Sequence, residues 1–135
     1  LFEAAELSHK TNSLPEICGR VCPQESQCET LCLLGKRGEP VAIGRLERFV
    51  ADYGRPKFFG RDKLTCAKER IAIIGSGPAG LSAAAVLARA LYCVTVFESL
   101  PLLGGVLRYG IPEFRLPHQV LDAEIGQIRT FYNYL

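Results

Sequence analysis

The stretch RIAIIGSGPAGLSAAAVLARAL, residues 70–91, sets an isoleucine-rich run directly before a glycine-rich turn and an Ala/Leu-rich run directly after it. Arg70–Ile74 reads as a buried strand, Pro78–Leu91 as a helix and Cys93–Glu98 as a second strand. A strand, a tight turn, a helix and a further strand in this order fit a crossover unit of a parallel sheet. The pattern GxGxxG at Gly75–Gly80 has a separate physical reason at each place. Gly75 permits the tight turn, Gly77 lets backbone approach a pyrophosphate, and Gly80 lets the helix pack on the strand. Ser76, Pro78 and Ala79 lie within the same cradle, where the helix N-terminus turns unpaired N–H groups towards an anion. Glu98, 23 residues after Gly75, is placed to accept hydrogen bonds from ribose hydroxyls. Its carboxylate would repel a 2′-phosphate, which disfavours NADP in this pocket and leaves NAD and FAD open. The competing reading is a glycine turn that packs and binds nothing.

The 135 residues are 48% hydrophobic and 22% charged with a net charge of +2, the composition of a globular protein and not of a disordered one. Arg55, Lys57, Arg61, Lys63, Lys68 and Arg70 cluster between residues 54 and 70. Without aromatic stacking residues or a nucleic-acid module they read as a solvated linker, not a nucleic-acid patch. The longest apolar candidate, Leu81–Phe97, is interrupted by Arg89, so no membrane span is expected. The chain begins at Leu1, contains no methionine and shows no signal-peptide pattern, and is expected to be an excerpt of a longer polypeptide.

Three regions follow: a helical cysteine-rich region at 1–53, a Gly/Pro and Lys/Arg-rich linker at 54–69, and the α/β region at 70–135. Phe2–Lys10 is expected to be helical and to stop at the Thr11-Asn12-Ser13 cluster before Pro15. Val41–Tyr53 places Ile43, Leu46, Phe49, Val50 and Tyr53 on one apolar helix face, and Pro117–Tyr132 does the same with Leu121, Ile125, Ile128 and Tyr132.

Four of the six cysteines, Cys18, Cys22, Cys28 and Cys32, fall within residues 18–32. A disulfide scaffold is disfavoured beside a nucleotide-binding unit with no export signal. The two C-x₃-C spacings suit a zinc site, while Pro23 after Cys22 is similar to the Cys-Pro of ferredoxin motifs, so the residues alone leave zinc and iron–sulfur open. Cys66 and Cys93 read as structural thiols, and His9 and His118 as surface residues.

The runs GSGPAGLSAA, VFESLPLLGG, GVLRYGIPEFRLP and LPEICGRVCPQESQC closely resemble the family of the NADPH-dependent glutamate synthase small subunit. That family also holds the large subunit of ferredoxin:NADP oxidoreductases and the N-terminal half of dihydropyrimidine dehydrogenase. The resemblance runs from about Leu14 to Pro117. It implies an all-α iron–sulfur domain followed by an incomplete Rossmann-type unit that binds FAD, with Gly75–Ala79 on the pyrophosphate and Glu98 on the ribose. It further implies Gly104, Gly105 and Val106 along the cofactor towards its flavin end and Arg115 as an added contact. Taken as residues, the paired glycines suit close approach to a planar ring or form a plain loop, and Arg115 reads as a surface charge.

For the cysteines the resemblance implies two [4Fe–4S] clusters. Cys22 and Cys28 would ligate one, with Glu47 as its non-cysteine ligand where relatives have glutamine. Cys32 would ligate the other, with Cys18 held in reserve. Without the family Glu47 reads as an exposed helix residue. The upstream cysteine motif of the family is not in this sequence, so neither cluster is expected to be complete from these residues.

The function implied is electron transfer between NAD(P)H, FAD and [4Fe–4S] clusters in the cytoplasm. The nicotinamide site would lie outside this chain, and the partners would be the remaining segments of the parent chain and a catalytic or ferredoxin-reducing subunit. Two alternatives stand beside it: a non-catalytic fragment, and a zinc-stabilised interaction module fused to a nucleotide-binding unit.

Overall fold

A computed structural model describes residues 1–54, 67–129 and 133–134. The chain divides into two compact units, Leu1–Pro56 and Lys57–Leu135. Most of the expected linker, with Cys66 and the basic residues Arg55, Lys57, Arg61 and Lys63, lies outside the described residues, as does the expected helix end at Tyr132.

The first unit is helical. Helix α1 spans Phe2–Thr11, α2 Pro15–Val21 and α3 Ile43–Tyr53, with two 3-10 turns at Gln24–Ser26 and Leu33–Lys36 between the last two. Helix α2 was not among the expected elements. Pro15 opens it at a position where a missing N–H costs nothing, and the Asn12 side chain accepts the Leu14 N–H at 2.9 Å just before it. Helices α2 and α3 approach so closely that a Cβ on Gly19 would stand 2.8 Å from the Arg48 backbone. Arg20, its side chain 7% exposed, reaches Asp52 at 2.8 Å and donates to the Glu16 carbonyl at 2.9 Å. Gln24 fills the space left by Gly44, where an added Cβ would meet its amide at 2.4 Å, and donates to the Cys18 carbonyl at 3.0 Å.

Helix α3 begins at Ile43, two residues later than expected, because the Glu29 carboxylate accepts the Gly44 N–H at 2.9 Å and Val41 donates its N–H to the Cys32 sulfur. The helix is turned against the expectation from its apolar pattern. Gly44 and Ala51 are buried, whereas Leu46 is 54% and Tyr53 73% exposed, with Ile43 and Phe49 exposed beside them. Close backbone contact of α2 with α3 selects the face of small residues, so the apolar stripe points away.

The second unit is α/β. Strand β1 (Arg70–Ile74), helix α4 (Pro78–Arg89), strand β2 (Cys93–Phe97), a one-turn helix α5 (Val106–Tyr109), helix α6 (His118–Arg129) and strand β3 (Asn133–Tyr134) follow in order. The three strands form a parallel sheet in the order β1-β2-β3, with Ala72 opposite Thr95 and Thr95 opposite Asn133. Neither α5 nor β3 was expected. β1 is also less buried than its composition suggests, Ile74 being 83% exposed, and among the described residues it pairs along one edge, with β2. The core lies instead around β2 and the helices. Val94 and Val96 of β2 are buried with Leu81, Ala84, Ala85 and Ala88 of α4, Leu116, and Leu121, Ile125 and Ile128 of α6.

Helix α4 ends short of Leu91, which takes a left-handed φ of 69° while the Tyr92 N–H reaches back to the Leu87 carbonyl. No helix among the described residues is long and apolar enough to cross a membrane.

Candidate functional site

The glycine-rich turn is built as its sequence requires. Gly75 has φ 93°, in the region that disfavours side chains, and its N–H extends the β1–β2 pairing to the Phe97 carbonyl at 2.7 Å. A Cβ on Gly80 would stand 2.0 Å from the Gly75 carbonyl oxygen, so only glycine lets α4 sit this close to the turn. A Cβ on Gly77 would meet nothing within 4 Å. Packing therefore does not demand a glycine at 77, and the open space beside it is what an approaching pyrophosphate would need. Gly77 caps α4 and Pro78 opens it, leaving the first-turn N–H groups facing outward with Ala79 exposed.

Glu98 stands immediately after β2, within reach of the turn. Its Oε2 accepts the Ser76 N–H at 2.9 Å and the Ser76 hydroxyl at 2.5 Å, and its Oε1 accepts the Leu100 N–H at 2.9 Å. These donors, the Ser76 hydroxyl foremost, pull the carboxyl down to about 2 and keep it ionised. A permanent acceptor at a strand end beside a phosphate cradle suits a ribose diol.

The second glycine pair joins the same place. Gly104 and Gly105 have φ of 122° and 50°, and a Cβ on Gly105 would lie 2.9 Å from the Gly77 Cα. The Gly104 N–H donates to the Ser76 hydroxyl oxygen at 3.0 Å. Arg108 and Tyr109 hold this loop from below: the Arg108 Nε donates to the Leu103 carbonyl and its guanidinium pairs with Asp122, while the Tyr109 hydroxyl accepts the Leu102 N–H. Val106 opens α5 and is exposed, and Arg115 lies exposed beyond it. Thus Gly75–Gly80, Glu98, Gly104 and Gly105 come together. Ser76, expected among the cofactor contacts, is instead fully buried beneath them. Arg108 and Tyr109 escaped the sequence reading because nothing in VLRY marks a loop clamp.

The cysteines are arranged less tightly. None of the four is in a disulfide; Cys22 and Cys28 are exposed, Cys18 and Cys32 half-buried. At Cys32, N–H donation from Val41, and then Leu34, holds the thiol below the ordinary range and favours the thiolate that binds metal. The Cys18 sulfur is directed at the Asn12 side-chain oxygen at 3.6 Å, and the Asn12 amide donates to the Glu47 carboxylate at 2.7 Å. Among the described residues no three of His, Cys, Asp or Glu gather as a metal-holding group, so Cys22, Cys28, Cys32 and Glu47 do not close a site by themselves. The donor types suit an iron–sulfur cluster while the arrangement is incomplete. Asn12 had no signal beyond its place in a polar stop cluster.

Comparison with known proteins follows the same division. Residues 1–58 match the family described as dihydropyrimidine dehydrogenase domain II, 4Fe-4S cluster, and residues 73–135 the NAD(P)-binding Rossmann-like domain. The chain is 49% identical to UacF of Escherichia coli K12, with 90% of the chain and 19% of that protein covered. It is 46% identical to the glutamate synthase [NADPH] small chain of Halomonas elongata, covering 90% and 26%. With the NAD-dependent dihydropyrimidine dehydrogenase subunit PreT of E. coli K12 it shares 44% identity, covering 93% and 31%. The chain therefore spans between about a fifth and a third of the length of these relatives.

Proposed function

We propose that the chain, an iron–sulfur domain match followed by a Rossmann-like one, belongs with the oxidoreductases it resembles, the glutamate synthase small chain and PreT, and that it serves an FAD-dependent electron-transfer subunit. The observation that carries the reading is the open face at Gly77 between a closed Gly75–Gly80 turn and the ionised Glu98. In this reading the outward N–H groups of the α4 N-terminus bind the pyrophosphate and Glu98 orients the adenosine ribose. Gly104, Gly105 and Val106 border the path towards the flavin, and Arg115 is a peripheral contact. When bound, FAD supplies the conversion between two-electron hydride chemistry and one-electron transfer. This chain's residues bind, orient and shield it.

The same ionised Glu98 argues against a 2′-phosphate, and so against NADP, in this pocket; with FAD taking the pocket, the NAD(P)H site of this reading lies outside these residues. We assign Cys22, Cys28 and Cys32, with Glu47, as cluster ligands to be completed by other segments of the parent protein. Cys18 is left to its Asn12 contact. The setting proposed is cytoplasmic, with electrons passed to a partner subunit, and the domain limits are 1–53 and 70–135.

Anaerobically purified protein, assayed for iron, acid-labile sulfide, zinc and flavin together with its absorbance spectrum, tests this directly. FAD with iron and sulfide is expected. Zinc in place of iron overturns the cluster assignment, and protein that neither retains nor rebinds FAD overturns the turn assignment.

A further inference from the structure

We propose that Ser76 is a positioning residue that ties three cofactor-facing segments, the glycine-rich turn, the end of β2 and the Gly104–Gly105 loop, into one preset cradle. The proposal rests on the reading of this turn as the FAD site, but its geometry stands in the protein alone. The side chain is 0% exposed and makes no surface of the cradle. Its hydroxyl has one hydrogen to donate and lone pairs to accept with. The hydrogen goes to Glu98 Oε2 at 2.5 Å and the lone pair takes the Gly104 N–H at 3.0 Å. Its own N–H also goes to Glu98 Oε2 at 2.9 Å.

Two consequences for the carboxylate follow. Oε2 is committed to Ser76 through two donors, and Oε1 accepts the Leu100 N–H at 2.9 Å and the Ser99 hydroxyl only at 3.5 Å. A ribose hydroxyl would therefore be received at Oε1, displacing the long Ser99 contact and leaving the Ser76 contacts intact. The direction of the carboxylate is thus set before any ligand arrives. The third segment is fixed by the same atom. Gly104 and Gly105 both have positive φ, conformations open to many loop geometries, and the Gly104–Ser76 bond together with Gly105 resting on the Gly77 Cα selects one. Preorganisation of this kind lowers the ordering cost that binding would otherwise carry.

Ser76→Ala in the full chain, compared with Ser76→Thr, which keeps the hydroxyl, tests the proposal by three readouts. In cofactor-free protein, amide exchange at Gly104 should speed up by about tenfold in the alanine variant, the upper range for one lost hydrogen bond. Exchange at Gly75 and Leu81 should stay as in the wild type. The Glu98 carboxyl, followed by carbon NMR, should stay ionised below about pH 4 in the wild type and titrate at higher pH in the alanine variant, which keeps the backbone N–H donors at residues 76 and 100 but loses the hydroxyl. FAD affinity, read from flavin fluorescence, should fall in the alanine variant and fall further as pH drops from 6 to about 4, with threonine restoring it.

Unchanged Gly104 exchange and an unchanged Glu98 titration in Ser76→Ala overturn the proposal. So does an ordinary Glu98 titration in the wild type, a measurement that needs no variant to fold. If the alanine variant shows both cofactor-free effects and the wild-type protein binds no FAD, the role of Ser76 is upheld and the flavin reading is overturned instead.

Discussion

Glycines within one motif do different work, and single substitutions separate them. Gly80→Ala forces a Cβ to 2.0 Å from a backbone oxygen, so the turn and α4 must part. Overpacking of this kind costs about 1–3 kcal/mol and should lower the thermal midpoint of the α/β unit. Gly77→Ala meets no atom and should cost below about 1 kcal/mol, the scale of a changed helix cap, while FAD retention is lost. Calorimetry paired with flavin release distinguishes the two. Glu98 adds a pH dependence whose sign follows from its depressed carboxyl. Folded at about 2 and ordinarily at 4.5, the group contributes stability that is complete above 4.5 and is lost as pH falls towards 2. Glu98→Gln should flatten the acid limb of a pH–stability profile over that window.

Among the elements, the α2–α3 pair shows how much a close approach can decide. Gly19→Ala would drive a Cβ to 2.8 Å from the Arg48 backbone, and no flexible side chain is available to yield. A loss of about 1–3 kcal/mol is expected in chemical denaturation of the helical unit. Asp52→Ala leaves the Arg20 guanidinium buried without its carboxylate and should cost about 3 kcal/mol, the lower end for such a pair, since Asp52 is partly exposed. Leu46→Gln on the exposed stripe of α3 should change stability by less than about 0.5 kcal/mol, which the sequence pattern alone would never predict. A periodic apolar face says that a helix has a preferred side. It does not say that the nearest neighbour will take that side, and here glycine-mediated contact with α2 won.

For the molecule as a whole, the proposed reading assigns a different chemistry to each of the two compact units, and their losses should be separable. Gly77→Ala should abolish the flavin bands and leave iron and sulfide content unchanged. Cys28→Ser should reduce iron and sulfide and leave flavin unchanged. Absorbance spectra with metal analysis of both variants check this, and a variant that loses both cofactors together would show that the units depend on each other.

The strand, turn and helix of residues 70–91 were legible in the sequence because each rests on local chemistry: β-branched residues before a turn, glycines where a positive φ or close packing is required, and alanine and leucine after it. Glu98 was legible for the same reason, being one βαβ unit along. The cysteine cluster was legible as thiol chemistry and, through its resemblance, as an iron–sulfur domain matched over residues 1–58. Other features depended on which distant groups meet. Ser76 looks like one residue of a phosphate loop, and only the tertiary structure brings Gly104 to its hydroxyl and buries it. Asn12 is a polar helix stop until folding sets it between Cys18 and Glu47. Local backbone preference is written in a few neighbouring residues. Hydrogen-bond partnership across 28 or 35 positions, and the choice of which helix face is covered, are decided by packing alone.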